Sequence, residues 1–184
     1  MEELKDYSGP FVRDIKYEDF SKETLARLLQ AYCREILVLD SYWQEQVGRR
    51  LGEEAARECL IENWCRIGKH EMKWTMDALN IQGNDIEAYV KANQFVPSFA
   101  QGIYDYDWDM KDENHAVLTV RHCPAFASLK GNAEKLNWVC QVLEDAAIKA
   151  YTEAINPEIQ VKPLKVGIKG EPDEIACQWD FRIE

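Results

Sequence analysis

The chain has 184 residues, 33 acidic against 22 basic side chains, and a formal charge of −11. That balance excludes a general nucleic-acid binder and a protein drawn to anionic membranes, because both need clustered cations. With 46% hydrophobic residues and six Trp, the sequence predicts a packed core rather than disorder.

No apolar run approaches the roughly 20 residues of a membrane span. The opening MEELKDYSGPF lacks a basic, apolar signal region. The sequence therefore predicts a cytoplasmic protein whose six cysteines are reduced.

The helical pattern starts at Phe20, with Ser21 as the expected N-cap and Phe20 stapling against Leu25. Leu25, Leu28, Leu29, Tyr32, Ile36, Leu39 and Trp43 follow at three- and four-residue spacing and predict a helix packed along this stripe. Gly52 breaks the run, and Ala56, Leu60, Trp64, Ile67, Trp74 and Leu79 form the stripe of a second helix. The two should pair as an antiparallel hairpin. Asn84 and Glu87 resemble a capping box for a third, shorter helix.

Pro97 and Gly102 then punctuate the chain, and the apolar period changes from 3.6 to 2. An aromatic segment through Tyr104, Tyr106 and Trp108 should pair with AVLTVRH as a hairpin whose outer face carries Asp105, Asp107 and Asp109. A long helix from Asn132 to Ile155 is predicted next, stopped by Asn156–Pro157, with small residues that would let it lie close to a sheet. Two strands, EIQVKPLKV and IACQWDFRI, close the chain, the second placing Ile175, Cys177, Trp179, Phe181 and Ile183 on one face. The reading is α+β: an extension over 1–19, a helical region over 20–96, and a β-β-α-β-β antiparallel region over 97–184 that shares one core with the helices.

Cys140 on the long helix and Cys177 on the last strand both fall on inferred core faces, so their thiols should approach one another. Cys123 closes a strand in Arg121–His122–Cys123–Pro124, where Pro124 turns the chain out of the ladder. With Glu144 one turn beyond Cys140, the set offers soft and borderline ligands for zinc, with manganese as the other candidate ion. The alternative is that these cysteines are packing residues, a common fate of buried thiols. His122 alternates with Leu118 and Val120 and is expected to point inward, as an acid or base beside Cys123 or as ordinary structure. Cys33, Cys59 and Cys65 have no companion spacing. His70–Glu71 lacks a second His four residues on, since position 74 is Trp, and is left as a pocket candidate at the edge of a stripe of Trp64, Trp74 and Trp43 that could line a pocket or be ordinary hairpin packing; Trp138 and Trp179 are the other substrate-binding candidates. Asp40, between Leu39 and Trp43, is an acid close to an apolar stripe. There is no Gly-rich phosphate loop or dinucleotide fingerprint, so no nucleotide cofactor is expected.

The strings RHCPAFASLKG, LNWVCQVLEDAAIKAYTEAINPEI and ACQWDFRI, with the helical run LDSYWQEQVGRRLGEEAARECLIENWCRIG, resemble the L-2-amino-thiazoline-4-carboxylate hydrolase-like family and its cytosolic bacterial relatives. The resemblance implies hydrolysis of a C–N bond in a cyclic amidine, with Cys123, Cys140 and Cys177 at or near the site. It would use either a metal-activated water or a thiolate. A more distant resemblance, to the 4-vinyl-reductase-type ligand-binding domain, rests on Cys140 and Cys177 and implies a binding module that can carry zinc. Its middle E-x-x-C is missing from VKPLKVGIKG. The expected partner is thus a small molecule, as substrate or as ligand, and the Trp-rich helices make a homodimer face possible.

Overall fold

In the computed structural model, which describes residues 3–129, 131–166 and 175–184, Ser21 caps α1 (Lys22–Leu51) by accepting a hydrogen bond from the Thr24 amide at 3.3 Å. The stretch before it is tied down where Leu4 N donates to Asp19 O and Ser21 N donates to Leu4 O. Gly52, at φ 96°, ends α1 and starts α2 (Glu53–Leu79), a reversal that favours a residue without Cβ. Cys33 lies near Glu71, Asp40 near Trp64, and Gly48 against Ala56, so the two helices run antiparallel.

The third helix, α3 (Ile86–Asn93), is capped one residue later than the sequence suggests: Asp85 Oδ1, not Asn84, accepts from Ala88 N at 2.7 Å. Asn84 instead offers its carbonyl to the Asn156 side chain. The amides of Ile86 and Glu87 donate to Glu113 O, which fixes the start of α3 to the turn of the following hairpin.

That hairpin is β1 (Asp105–Asp112) and β2 (His115–His122). With β3 (Gln160–Lys165) and β4 (Cys177–Arg182) it forms a four-stranded antiparallel sheet in the order β1-β2-β4-β3. The fold is therefore α+β. Ala116, Leu118 and Val120 from β2 and Trp179 and Phe181 from β4 supply the buried face, in the period-two register that sets Leu118 beside Trp179 and Val120 beside Cys177. Tyr89 of α3 stacks on Phe181 at 5.3 Å and meets Trp108 edge-on at 6.0 Å. The core joins Met72 and Tyr151 from the helices to this sheet face, so both regions share it.

The predicted long helix is interrupted. After β2 comes a short helix, α4 (Pro124–Leu129), and then α5 (Ala133–Trp138), capped by Asn132. A π turn follows over Val139–Leu143 and leads into α6 (Glu144–Glu153). The small residues of α6 serve chiefly its approach to α2 rather than to the sheet: a Cβ on Gly68 of α2 would lie 2.2 Å from the Tyr151 ring. The stretch VKPLKVGIKG is described only as far as Val166. Among the described residues no helix is long and apolar enough to cross a membrane.

The stripe assigned to the core side of α1 is the largest departure. No residue of α1 is buried, and Leu29, Tyr32, Ile36, Leu39 and Trp43 are all exposed, Leu39 at 70%. The side facing α2 and the rest of the molecule instead carries Cys33, Leu37, Asp40 and Gln44, each half-buried.

Candidate functional site

Between the sheet face and the helices lies a cavity of about 150 Å³, close to the space that holds one small ring. Its floor is the inner face of β2 and β4, with Leu118, Cys177 and Trp179. One wall is built by Tyr89 and Asn93 of α3 with Ser98 and Phe99 of the turn Pro97–Phe99. The other is built by Cys123 and Phe126 around the start of α4 and by Cys140 and Glu144 around the π turn. Leu37 of α1 and Trp64 of α2 close the helical side.

Cys123, Cys140, Cys177 and Glu144 thus border one space, as the faces of the long helix and the last strand suggest. Among the described residues, however, no group of three or more His, Cys, Asp or Glu side chains is drawn together tightly enough to hold a metal ion.

The electrostatics separate the carboxyl from the thiols. Burial pushes the Glu144 carboxyl up to about 7. The side chain is half-buried where it borders the cavity, and this desolvation penalises the charged form. Burial also pushes the Cys123 thiol up to about 12, helped by the nearby Glu144 and opposed only by the amides of Phe126 and Ala125. Cys177 is likewise raised to about 12 by burial and then by Glu144 and Cys123, against a hydrogen bond from Trp179. Both cysteines are therefore protonated at neutral pH, which disfavours a thiolate nucleophile.

A second polar group backs the cavity. Ser98 Oγ donates to Glu71 Oε2 at 2.5 Å and Tyr151 OH donates to the same oxygen at 2.7 Å. Ser98 and Tyr151 border the cavity while Glu71, only 4% exposed, holds them from behind. Burial raises the Glu71 carboxyl, against those two hydrogen bonds. Glu71 is in this way a support for the wall rather than a group that meets a ligand.

Other residues singled out from the sequence lie elsewhere. His122 is exposed at the end of β2, opposite Asp105, and does not border the cavity. Alternation points it inward, but β2 carries an extra residue, Arg121, opposite the Asp105–Tyr106 step of β1, and this break in register ends the alternation before His122. His70 is exposed and stacks on Trp74 at 5.1 Å. Trp138 belongs to a satellite cluster around Leu60, Val139 and Leu143, with the Arg57 guanidinium 5.2 Å over its ring. Asp40 is turned toward α2, its carboxyl raised by burial against a hydrogen bond from Trp64. Cys59 is exposed, and Cys65 donates from Sγ to Ala146 O at 3.6 Å. Of the aromatics considered for a pocket, Trp64 and Trp179 border the cavity, whereas Trp138 does not and Trp43 and Trp74 are exposed.

Sequence reasoning missed Asn93 and Tyr104. Asn93 borders the cavity, is 8% exposed, and its Oδ1 is buried without a hydrogen-bond partner. Tyr104 sits between Cys123, Glu144 and Cys177, and burial followed by their charges raises its hydroxyl far above the ordinary value. Periodicity puts both on apolar faces, Asn93 four residues after Tyr89 on α3 and Tyr104 two residues before Tyr106, but a polar end on a packed face does not by itself mark a cavity. Among the described residues, no Lys, Arg or His borders the cavity.

No curated protein and no solved structure matches the chain. A family model matches residues 18–183, nearly the whole sequence, and on that match the chain belongs to a family of unknown function, DUF6125.

Proposed function

We propose that the protein binds one small, mostly apolar ring compound in the cavity, neutral or cationic, with the Glu144 carboxyl as its polar anchor. The observation that carries this reading is the placing of one ionisable carboxyl, held near 7, in a mostly apolar space of single-ring size. The unpartnered Asn93 Oδ1 supports it, because a buried acceptor left alone costs about 1–3 kcal/mol and a ligand N–H or O–H would relieve that cost. The lack of any cation among the described residues of the wall disfavours an anionic ligand, including a ring that bears a free carboxylate.

The same carboxyl favours a second reading, hydrolysis of a C=N bond in a cyclic amidine. A group near 7 is suited to take a proton from water as that water's oxygen adds to the ring carbon, and to return the proton to the ring nitrogen as the C–N bond breaks. In this form Glu144, not Cys123 or His122, does the proton transfer.

A panel of neutral, cationic and carboxylate-bearing single-ring compounds, including cyclic amidines, tests both. Binding is read by thermal shift and turnover by mass spectrometry, with and without Zn²⁺ and Mn²⁺. A stabilising hit that is lost in Glu144→Gln supports the anchor. Hits confined to carboxylate-bearing rings, or none across the panel, would overturn the binding reading. A hit without product removes the hydrolytic one.

A further inference from the structure

We propose that the protein forms a two-fold homodimer in which the α1 stripe of Leu29, Tyr32, Ile36, Leu39 and Trp43 packs antiparallel against the same stripe of a second copy. These five positions follow the alternating three- and four-residue spacing of a helix–helix seam, yet the protein's own fold leaves all of them exposed. Large apolar residues are exposed elsewhere as well, Phe11, Leu51, Trp74 and Phe95 among them, but these five stand in one continuous row on a single helix face, the arrangement that marks a contact surface.

The area fits a second copy. From their fractional exposures, the five side chains leave roughly 600 Å² bare, and Tyr42 on the flank brings this to about 800 Å², the share one partner contributes to a standard stable interface. The stripe itself carries no charge, so two chains of −11 can meet there without opposing carboxylates.

The flank selects the register. With the two-fold axis between Ile36 and Leu39, Ile36 meets the partner's Leu39, Tyr32 meets the partner's Trp43, and Glu35 lies by the partner's Tyr42. Sliding one layer toward the N-terminus would set Glu35 against the partner's Glu35, a like-charge contact that disfavours that alternative. Arg49 then lies by the partner's Leu28, where its aliphatic stem can cover the end of the seam. An isologous contact of this kind closes on itself and stops at two copies.

Sedimentation or light scattering at about 10 µM subunit should report twice the 21.4 kDa chain mass. Leu39→Glu and Leu29→Glu should each weaken the dimer on the order of 100-fold, with the thermal melt of the monomer preserved. Val38→Glu, equally accessible but on the other side of α1, should leave the dimer intact. Mixing Ile36→Lys chains with Leu39→Glu chains should restore dimers, because only the antiparallel register sets the new charges against each other.

A monomeric wild type would overturn the proposal. So would loss of the dimer in Val38→Glu, or unfolding of both stripe variants, since positions this exposed should not hold the monomer together. Failure of the mixed pair to associate would overturn the antiparallel register.

Discussion

Glu144→Gln offers the sharpest reading of the cavity. A glutamate titrates near 4.5 when exposed, and burial moves Glu144 to about 7. Between those values the folded chain holds a proton that the unfolded chain has released, so the native state is favoured by acid. The contribution is fully present below about 4.5 and is lost as pH rises through 7.

Integrating the difference in proton binding gives a loss of about 2 kcal/mol between pH 5.5 and pH 8, and about 3 kcal/mol over the whole window. Glutamine keeps the shape and a hydrogen-bonding end but cannot ionise. The variant should therefore be more stable than wild type at pH 8, and its stability should change less between the two pH values by about 2 kcal/mol. Urea unfolding of both proteins at pH 5.5, 7 and 8 measures this, and taking the difference cancels the titration of every other group. Parallel stability curves for the two proteins would refute the placing of an ionisable carboxyl in a dry site.

Other outcomes follow from the same packing. Gly68→Ala should destabilise by about 2–3 kcal/mol, because the new methyl meets the buried Tyr151 ring and forces α6 from α2; a melt within a degree of wild type would contradict that close approach. Tyr151→Phe should cost about 1–3 kcal/mol in urea unfolding, since Glu71 keeps only the Ser98 donor inside the protein, and an unchanged midpoint would count against the buried network. In native alkylation at pH 7.5 read by peptide mass spectrometry, exposed Cys59 should react well ahead of Cys123 and Cys177, both held as thiols by burial. Equal labelling of the three would contradict the enclosed site.

Local chemistry marks many element boundaries in this sequence. Ser21, Gly52 and Asn132 each do a job that only a few residue types can do, and the structure uses them where they stand. Alternation along ACQWDFRI likewise shows which side chains share a face, and that face meets the core.

Period alone does not show what covers a face. The α1 stripe has the spacing of a packed helix, but the tertiary fold turns Leu37 and Asp40 inward and leaves Leu39 and Trp43 outside. The π turn at Val139–Leu143 is equally silent in sequence, because one extra residue in a helix changes no composition. The convergence of Cys123, Cys140, Cys177 and Glu144 on one space was legible from two faces and a strand end. Their protonation was not, since it depends on how completely the surrounding helices exclude water.

The sheet's outer strand gives the acidic composition a local meaning. β1 is an edge, with unpaired backbone amides and carbonyls along one side that any passing extended chain could zip onto. Asp105, Asp107 and Asp109 stand exposed along that margin, so an incoming copy of the same strand would bring a matching row of negative charges. Near the isoelectric point of 4.8 the molecule's overall repulsion vanishes, and only this local row of charges is left to oppose strand-to-strand growth. Storage and crystallisation in mildly acidic buffers are thus the conditions under which fibrous or gelled material should first form.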